Sequence, residues 1–467
     1  MKKKYTIIIV ITLVIAISLL VIINTNNNSN NNSNSTDSIT TSPSTKTTTN
    51  ISYEQDEVDW SNYNTYELEL TESKTITEEG IYHITGEITN GSLTINTDGY
   101  VKLILDNVTI TNNNGPAIYV ENAKTTYIEL KDNTENNLID GESSELDAVI
   151  YSKDDLIIEG DGTLNVTANN QDGIVSKDDL VINSGNINIT SIDDAIKGKD
   201  SVVINDGNIN ITSKGDGIKS TNDTDETKGY ILINSGIITI NSTLDGIQSE
   251  NKIIINDGTI NIKTTGNSDD SSKGIKAEKQ IEINGGNFII NSYDDSIHSN
   301  SDIVINKGEF NITSKDDGIH ADALVEINDG TFNINAAEGI EGTYVKINGG
   351  NITISASDDG INAGHKSDGY SVKIEINGGK ITIKMGQGDT DGIDSNGDLY
   401  INGGTIDITA NSPFDYDGES KYNGGTIIVN GEETNTITNQ MMGGPGMNMN
   451  PREQGMNRMN QGGRYMR

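Results

Sequence analysis

Short runs of alternating apolar and polar residues follow one another along most of this chain. In one stretch the runs cover residues 195–198, 202–205 and 208–212, and isoleucine and valine supply their apolar positions. A period of two predicts β-strands. Glycine and asparagine between the runs predict tight corners, because both residues accept positive φ. Three short strands with their corners should therefore form one turn of a solenoid.

Two sequence motifs repeat in phase through the middle of the chain. The first is Asp-Gly-Ile or a variant of it, with Asp172, Asp194 and Asp216 spaced 22 residues apart and later steps of 21 to 32 residues. The second is Ile-Asn-x-Gly, which runs from residues 182–185 to residues 401–404. Such a period indicates a repeat architecture. We predict an all-β fold, a right-handed parallel β-helix with about eleven three-strand coils of 21–22 residues between Asp147 and Gly425.

Stacked turns align equivalent residues into columns. The isoleucine columns should fill the core, and the asparagine column from Asn183 to Asn423 should hold one corner by hydrogen bonds along the stack. An aspartate column begins the Asp-Gly-Ile motif, and aspartates in Ser-Lys-Asp-Asp stretches lie a few residues further on. Stacked carboxylates repel each other, and a Ca²⁺ ion between the rungs would relieve this repulsion. The predicted metal ligands are Asp172, Asp193, Asp194, Asp216, Asp154, Asp155, Asp178, Asp179 and Asp200.

The aspartates also fit a plainer structural role, since Asp-Gly pairs often cap turns without binding a ligand. A basic column follows them, with Lys197, Lys219 and Lys276 as the predicted substrate-binding residues and with His298 and His320 later in the chain. Basic groups beside aspartate suit an anionic sugar polymer, whose carboxylates would bridge to Ca²⁺ and pair with lysine. The alternative is that the basic residues only offset the acidic column.

The overall charge narrows the possible partners. The 467 residues include 69 Asp and Glu but only 32 Lys and Arg, which gives a net charge of -37. Nucleic-acid binding requires a basic surface, so nucleic acid is excluded as a partner and metal cations are favoured. The sequence has no cysteine, which excludes disulfides and thiolate chemistry.

The ends of the chain differ from its middle. Residues 1-23 combine lysines with an apolar run, which predicts either a signal peptide or an uncleaved membrane anchor, and hence an extracellular protein, secreted or held at the cell membrane. Residues 24-52 are a linker rich in Asn, Ser and Thr, and residues 53-430 form the β-helix. Residues 431-467, rich in Gly, Met, Asn and Arg, are predicted to be a disordered tail.

Three stretches resemble an exported carbohydrate-binding β-helix family that is similar in fold to pectate lyases. They are Gly-Pro-Ala-Ile-Tyr-Val at 115–120, Ile-Tyr-Ser-Lys-Asp-Asp-Leu at 150–156 and Asp-Gly-Ile-Val-Ser-Lys-Asp-Asp-Leu at 172–180. The resemblance covers about residues 66 to 425. It implies a parallel β-helix that binds Ca²⁺ and plant cell-wall polysaccharide, with no established catalysis. No outward row of aromatic residues is visible in the sequence, so acidic galacturonan is favoured over cellulose.

Two other functions stay open at this point. A calcium-dependent polysaccharide lyase of the pectate type would need Lys197, Lys219 or Lys276 as its base, because no arginine precedes Arg452. A lysine base requires a lowered pKa, and an acidic neighbourhood raises it instead, so we assign no catalytic residue. A structural surface stalk or adhesin is the second alternative. We place the glycan and its Ca²⁺ on the early turns, around Asp193 and Lys197.

Overall fold

A computed structural model of the chain describes residue 53 and residues 55–267, 271–387 and 390–439. These residues belong to the unit that runs from Tyr53 to Arg467. The predicted anchor at 1–23, the linker at 24–52 and the tail from residue 440 onward lie outside the described residues. Within the described ranges, no helix is long and apolar enough to span a membrane.

Three columns of short strands make up the described fold, and a single 3-10 turn at Trp60–Asn62 precedes them. Within each column a strand pairs in parallel with the equivalent strand one turn later. The first column consists of Lys74–Ile76, Leu93–Asn96, Ile118–Asn122, Ala148–Ser152, Asp172–Ser176, Ile196–Gly198, Ile218–Ser220, Ile247–Ser249, Ile275–Ala277, Ile297–Ser299, the start of Ile319–Ile327, the start of Ile340–Ile347, Ile361–Ala363, Asp391–Ser395 and Ser412–Tyr416.

The second and third columns follow the same pairing rule. The second column consists of Thr65–Leu70, Gly80–Ile88, Tyr100–Leu105, Thr125–Leu130, Asp155–Gly160, Asp179–Ile182, Ser201–Ile204, Tyr230–Ile233, Lys252–Ile255, Gln280–Ile283, Asp302–Ile305, the ends of Ile319–Ile327 and Ile340–Ile347, Lys373–Ile376, Asp398–Ile401 and Ser420–Tyr422. The third column consists of Thr109–Asn112, Glu135–Asp140, Thr163–Thr167, Asn186–Ser191, Asn208–Ser213, Ile237–Ser242, Thr259–Thr264, Asn287–Asn291, Glu309–Thr313, Thr331–Ala336, Asn351–Ala356, Lys380–Met385, Thr405–Thr409 and Thr426–Val429.

The register follows the sequence repeat. Ile174 pairs with Ile196, and Ile196 with Ile218, each one turn later. In this repeat the strands are Ile196–Gly198, Ser201–Ile204 and Asn208–Ser213, so each predicted strand is confirmed to within one residue. An all-β chain of mainly parallel strands, each paired one turn later, is consistent with a parallel β-helix.

The core is a stack of aligned apolar side chains. The inward-facing isoleucines of all three columns are fully buried. In the third column, Phe288, Phe310 and Phe332 lie in consecutive turns with ring centroids 4.6 Å apart and nearly parallel planes. This separation is close to the spacing of parallel strands, about 4.8 Å, so the backbone pairing places these rings in contact.

The predicted asparagine column is confirmed as a hydrogen-bonded ladder at one corner. The side-chain amide of Asn205 donates to Oδ1 of Asn183 at 2.7 Å, and that of Asn234 donates to Oδ1 of Asn205 at 2.7 Å. The same bond recurs through the later turns to Asn423, which donates to Asn402 at 2.7 Å. Each internal asparagine therefore both donates and accepts along the stack, which satisfies its side chain without any ligand.

Glycine is favoured in each of the two motifs for a different physical reason. In Ile-Asn-x-Gly the glycine has positive φ, as at Gly207 with φ 131°, which fits the predicted corner. In Asp-Gly-Ile the reason is space, because a Cβ on Gly217 would lie 2.5 Å from the carbonyl oxygen of Gly246 in the next turn. Close approach of consecutive turns thus favours a small residue at this position.

The described fold extends beyond the predicted boundary at residue 430. Glu432–Thr434 forms a strand antiparallel to Thr426–Val429. Ile437 packs against the core, and its carbonyl oxygen accepts a hydrogen bond from Tyr416. Residues 431–439, which the sequence assigned to the tail, therefore belong to the fold, because they pair with its last described parallel strand and pack on apolar side chains of the core.

Candidate functional site

One line of outward positions on the first column changes chemistry along the fold, and we call it the face row. Its members pair with one another turn by turn. In order they are Tyr119, Tyr151, Val175, Lys197, Lys219, Gln248, Lys276, His298, His320, Glu341, Asn362, Asp394 and Asp415. The row is therefore aromatic at its start, then basic, and finally acidic.

The aspartate column lies beside the face row and is mostly buried, so we call it the Asp ladder. Its members are Asp172, Asp194, Asp216, Asp245, Asp295, Asp317, Asp359 and Asp391. One carboxylate oxygen of most members accepts a backbone N–H from the next turn: Asp172 Oδ1 accepts from Asp194 at 3.0 Å, and Asp194 Oδ1 accepts from Asp216 at 2.8 Å. This bond satisfies a buried N–H at a corner, so the structural role of these aspartates is real.

The other carboxylate oxygen faces the lysines of the face row. Lys197 Nζ lies 2.7 Å from Asp172 Oδ2 and 2.8 Å from Asp194 Oδ2. Lys219 Nζ lies 2.6 Å from Asp216 Oδ2. The structure thus brings the predicted substrate-binding lysines 197 and 219 together with the predicted metal ligands. Lys276 is more loosely placed, with its Nζ 3.6 Å from Glu278.

The early turns contain more carboxylates than lysines. Among the described residues, the ammonium groups that pair with the cluster of Asp172, Asp193, Asp194 and Asp216 are those of Lys197 and Lys219. Burial raises the pKa of Asp172 to about 7 despite Lys197, and burial raises the pKa of Asp216 to about 6 despite Lys219. These raised pKa values mean that the cluster of four carboxylates takes up a proton near neutral pH unless another cation is present.

Three of the predicted ligands converge on one point. Asp172, Asp193 and Asp194 offer carboxylate oxygens within 4.8 Å of one another. Oxygen ligands of this kind suit Ca²⁺. The fit is partial, because Lys197 already binds Asp172 and Asp194, so an added cation and this ammonium group compete for the same oxygens. The fourth predicted aspartate, Asp216, is bound to Lys219 instead.

The five remaining predicted ligands form a separate acidic group at another corner. They are Asp154, Asp155, Asp178, Asp179 and Asp200. The ladder residue Asp172 begins the strand Asp172–Ser176, whereas Asp178 follows the end of that strand, so the two sets lie roughly 15 Å apart at the strand spacing of about 3.3 Å per residue. The sequence analysis named all nine aspartates as metal ligands, and the structure places them in two separate groups.

Internal partners account for several carboxylates of this second group. Asp155 accepts the backbone N–H of Asp179, and Asp179 accepts the hydroxyl of Ser201 at 2.6 Å. Asp200 forms an ion pair with Lys228. The hydrogen bond with Asp200 raises the pKa of Asp178 to about 7, so Asp178 takes up a proton as the pH falls below neutral.

The later turns of the face row carry histidines in place of lysines. His298 Nδ1 lies 2.8 Å from Asp295 Oδ2, and His320 Nδ1 lies 2.7 Å from Asp317 Oδ2. Burial, together with Asp295 and Glu338, raises the pKa of Asp317 to about 8. The sequence analysis identified both histidines as members of the basic column but not as metal-ligand candidates.

Two tyrosines of the face row are functional candidates that the sequence analysis missed. Tyr119 and Tyr151 lie in adjacent turns with ring centroids 6.0 Å apart. Lys153 and Lys177 lie over these rings at 5.5 Å and 5.2 Å. The signal was present in the sequence, because each tyrosine directly follows a core isoleucine, as Lys197 does.

Two known proteins are similar to parts of this chain. A protein of Acetivibrio thermocellus described as a carbohydrate-binding domain-containing protein is 35% identical over 149 residues, which is 30% of this chain and 52% of that protein. The chain thus matches about half the length of this relative. A solved structure described as the polysaccharide lyase-like protein from C. thermocellum, a gadolinium derivative, has a TM-score of 0.43 and 33% identity, and the match covers 50% of this chain and 94% of that chain.

The family assignment rests on a broader match. The sequence profile of the family described as carbohydrate-binding domain-containing protein matches residues 71–318 and 311–442. These two ranges include the Asp ladder, the face row and all but the earliest strands. Since the matched ranges cover well over half of the 467 residues, this chain belongs to the carbohydrate-binding domain-containing protein family.

Proposed function

We propose that this protein is an extracellular, calcium-dependent module that binds acidic plant cell-wall polysaccharide, with galacturonan favoured over cellulose. The observation that carries the proposal is the basic part of the face row beside the Asp ladder. Lys197 and Lys219 present cations one turn apart, about 4.8 Å, along a surface whose carboxylates exceed them in number. Such a row suits a linear polymer that itself carries a carboxylate on every sugar.

The calcium part of the proposal rests on charge and ligand type. Asp172, Asp193 and Asp194 are the residues that would hold the ion, which would supply positive charge to a uronate carboxylate beside it. The four carboxylates of the early turns exceed the two lysines by two charges, which one divalent cation balances.

The right-handed sense and the number of about eleven three-strand turns remain predictions about the scaffold.

The preference for galacturonan follows from the aromatic residues. Flat stacking on cellulose is favoured by a row of exposed rings. In the described part of the face row the aromatic residues are Tyr119 and Tyr151, and Tyr151 is only 8% exposed. The half-buried Tyr119 ring suits the end of a bound chain, whereas the lysines that follow suit its carboxylates.

Catalysis as a lyase is the runner-up, and the environment of the lysines disfavours it. Burial tends to lower the pKa of Lys197, but the ion pairs with Asp194 and Asp172 outweigh it and raise the pKa. The same balance, with Asp216 first, raises the pKa of Lys219. A general base needs the opposite shift. A stalk or adhesin without glycan affinity is the third possibility.

One experiment separates these functions. The purified chain is mixed with polygalacturonate or with microcrystalline cellulose, in Ca²⁺ or in EDTA, and both bound protein and the ultraviolet absorbance of unsaturated products are measured. We expect calcium-dependent binding to polygalacturonate without product. Product formation would identify a lyase. Binding to neither polymer would leave the structural stalk or adhesin as the remaining function.

A variant series tests the position of the site. Replacing both Lys197 and Lys219 by Gln should abolish polygalacturonate binding. Lys263→Gln with Lys384→Gln is the matched control, because these lysines are exposed on the third column. Asp193→Asn with Asp194→Asn should weaken Ca²⁺ binding. If Asp316→Asn with Asp317→Asn weakens it instead, calcium binds in the later turns.

A further inference from the structure

A second cluster of possible metal ligands lies where the face row changes from lysine to histidine. His298, His320 and Glu341 occupy the same position in three consecutive turns. The two imidazole rings have centroids 4.8 Å apart. With Asp295 and Asp317 of the Asp ladder, these five side chains are between 4% and 12% exposed. The cluster is therefore well shielded from solvent.

The hydrogen bonds of His298 define which of its nitrogens carries hydrogen. The Asn300 side chain donates its amide to Glu278, which turns Oδ1 of Asn300 toward His298 Nε2 at 2.8 Å. Nε2 must then donate, so the neutral ring presents the lone pair of Nδ1 to Asp295 Oδ2 at 2.8 Å. Two lone pairs at this distance repel, and the contact requires either a proton or a metal ion.

The surroundings of His320 point more strongly to a metal. Its Nδ1 lies 2.7 Å from Asp317 Oδ2, 3.0 Å from Glu341 Oε2 and 3.9 Å from Asp295 Oδ2. One N–H can serve only one of these carboxylates well, whereas a metal ion accepts several ligands. Its other nitrogen, Nε2, is buried without a hydrogen bond, and the carboxylate of Asp322 is 3.4 Å away.

The negative charge of this region is also not balanced by the basic side chains that pair with it. Seven carboxylates lie around the histidines, those of Asp294, Asp295, Asp316, Asp317, Asp322, Glu338 and Glu341. The lysines that pair with them are Lys273, which binds Asp294 and Asp295, and Lys366, which binds Glu341 through Oε1. Glu341 Oε2 is thereby left to face His320. Two protonated histidines would still leave a net negative charge.

We propose that His320 is the shared ligand of a binding site for one divalent transition metal of the Zn²⁺ class, with Asp317 and Glu341 on one side and Asp295 and His298 on the other. The ligand atoms form two groups of three that share His320, each with its atoms within 4.8 Å of one another. Mixed imidazole and carboxylate ligands suit Zn²⁺ and its neighbours, whereas Ca²⁺ prefers oxygen alone.

The residues behind the histidines fit the same assignment. Metal-bound histidines usually donate their second N–H to an oxygen, which orients the ring. Asn300 Oδ1 holds this position for His298, whereas Asp322 Oδ1 lies 3.4 Å from the second nitrogen of His320 without a hydrogen bond. A metal here would link three turns of the stack. The proposed site depends neither on glycan binding nor on the calcium site of the early turns.

The test is metal binding by the full chain after removal of metals with EDTA and dialysis. Co²⁺ is added as a spectroscopic probe, and Zn²⁺ is then titrated in competition and by calorimetry. We expect about one equivalent of Co²⁺ with a visible band, displaced by Zn²⁺ but not by Ca²⁺. Replacing His298 and His320 by Gln should weaken Zn²⁺ binding by about tenfold or more, the loss typical of altered metal shells.

The control is His365→Gln, because the His365 side chain is 66% exposed and its ion pair within the described residues is with Asp368, outside the cluster. This variant should bind Zn²⁺ as the wild type does. Equal Zn²⁺ affinity in the wild type and the double histidine variant would overturn the proposal. So would a wild-type chain that binds neither Co²⁺ nor Zn²⁺ at neutral pH, and that measurement needs no variant to fold.

Discussion

The backbone N–H of Asp194 donates a hydrogen bond of 3.0 Å to Oδ1 of Asp172, which lies one turn earlier in the fold. The same bond links Asp216 to Asp194 and Asp245 to Asp216, each at 2.8 Å. The second oxygen of these carboxylates remains for a cation, which is lysine in the early turns. A single residue type thus joins consecutive turns and sets the charge of the surface beside them.

The structural half of this role predicts a difference between two substitutions at Asp194. Asparagine keeps an oxygen acceptor for the buried N–H of Asp216, whereas alanine leaves that N–H without one. We expect Asp194→Ala to be less stable than Asp194→Asn by about 1–3 kcal/mol, the cost of an unsatisfied buried group. Chemical denaturation in EDTA measures this difference, and equal stability of the two variants would contradict it.

The competition between Lys197 and calcium predicts opposite effects of one substitution. Lys197→Gln removes the ammonium group that binds Asp172 and Asp194, so Ca²⁺ affinity should rise. The same change removes a partner for uronate, so polygalacturonate affinity should fall. Calorimetry with each ligand gives both values. Lys263→Gln serves as the control, and a parallel loss of both affinities would contradict the proposed competition.

Removal of calcium should destabilise the fold. A ligand that binds only the folded state stabilises it by about 2.7 kcal/mol at a concentration 100 times its Kd. We therefore expect EDTA to lower the melting temperature and added Ca²⁺ to restore it, with a smaller effect in the Asp193→Asn, Asp194→Asn variant. An unchanged melting curve, together with no Ca²⁺ by elemental analysis, would disprove the calcium site.

The acidic end of the face row predicts the pH dependence of stability. Burial, together with Asp359, raises the pKa of Asp394 to about 7, and burial raises the pKa of Asp359 to about 7. A carboxyl with a raised pKa in the folded state binds its proton more tightly there than in the unfolded chain. Its stabilising contribution is complete below the unfolded pKa, about 4, and is lost as pH rises through about 7.

In EDTA we therefore expect the melting temperature to fall between pH 5 and pH 8. At pH 8, Asp394→Asn should raise the free energy of unfolding by roughly 1 kcal/mol after allowance for solvent screening, and the melting temperature with it. The substitution should also flatten the pH dependence of the melting temperature. Asp223→Asn is the control, since Asp223 is exposed. If the slopes of wild type and Asp394→Asn are the same, Asp394 does not titrate in this range.

The phenylalanine stack predicts a large loss of stability in the core. Phe310 lies between Phe288 and Phe332, 4.6 Å from each ring. Phe310→Ala should lower stability by about 3–5 kcal/mol, because it leaves a cavity lined by two rings, whereas Phe310→Leu should cost less. Thermal denaturation measures both. A loss for Phe310→Ala below that for Phe310→Leu would show that the neighbouring turns collapse into the space.

Part of this structure could be predicted from sequence because the solenoid is periodic. Each residue type recurs after about 22 residues, and stacking places residue 183 next to 205 without any long-range information. The strands, the buried isoleucines and the asparagine ladder all follow from that spacing. The two acidic groups are also visible in the sequence as carboxylates.

The tertiary structure decided what the columns do. Sequence spacing does not fix side-chain torsions, so it could not show that Asp172 turns one oxygen to the next turn and the other to Lys197. It also could not show how far the extended strand Asp172–Ser176 separates Asp172 from the Asp178 group. The chemistry of a surface depends on which atoms face each other, and in this fold those atoms come from different turns.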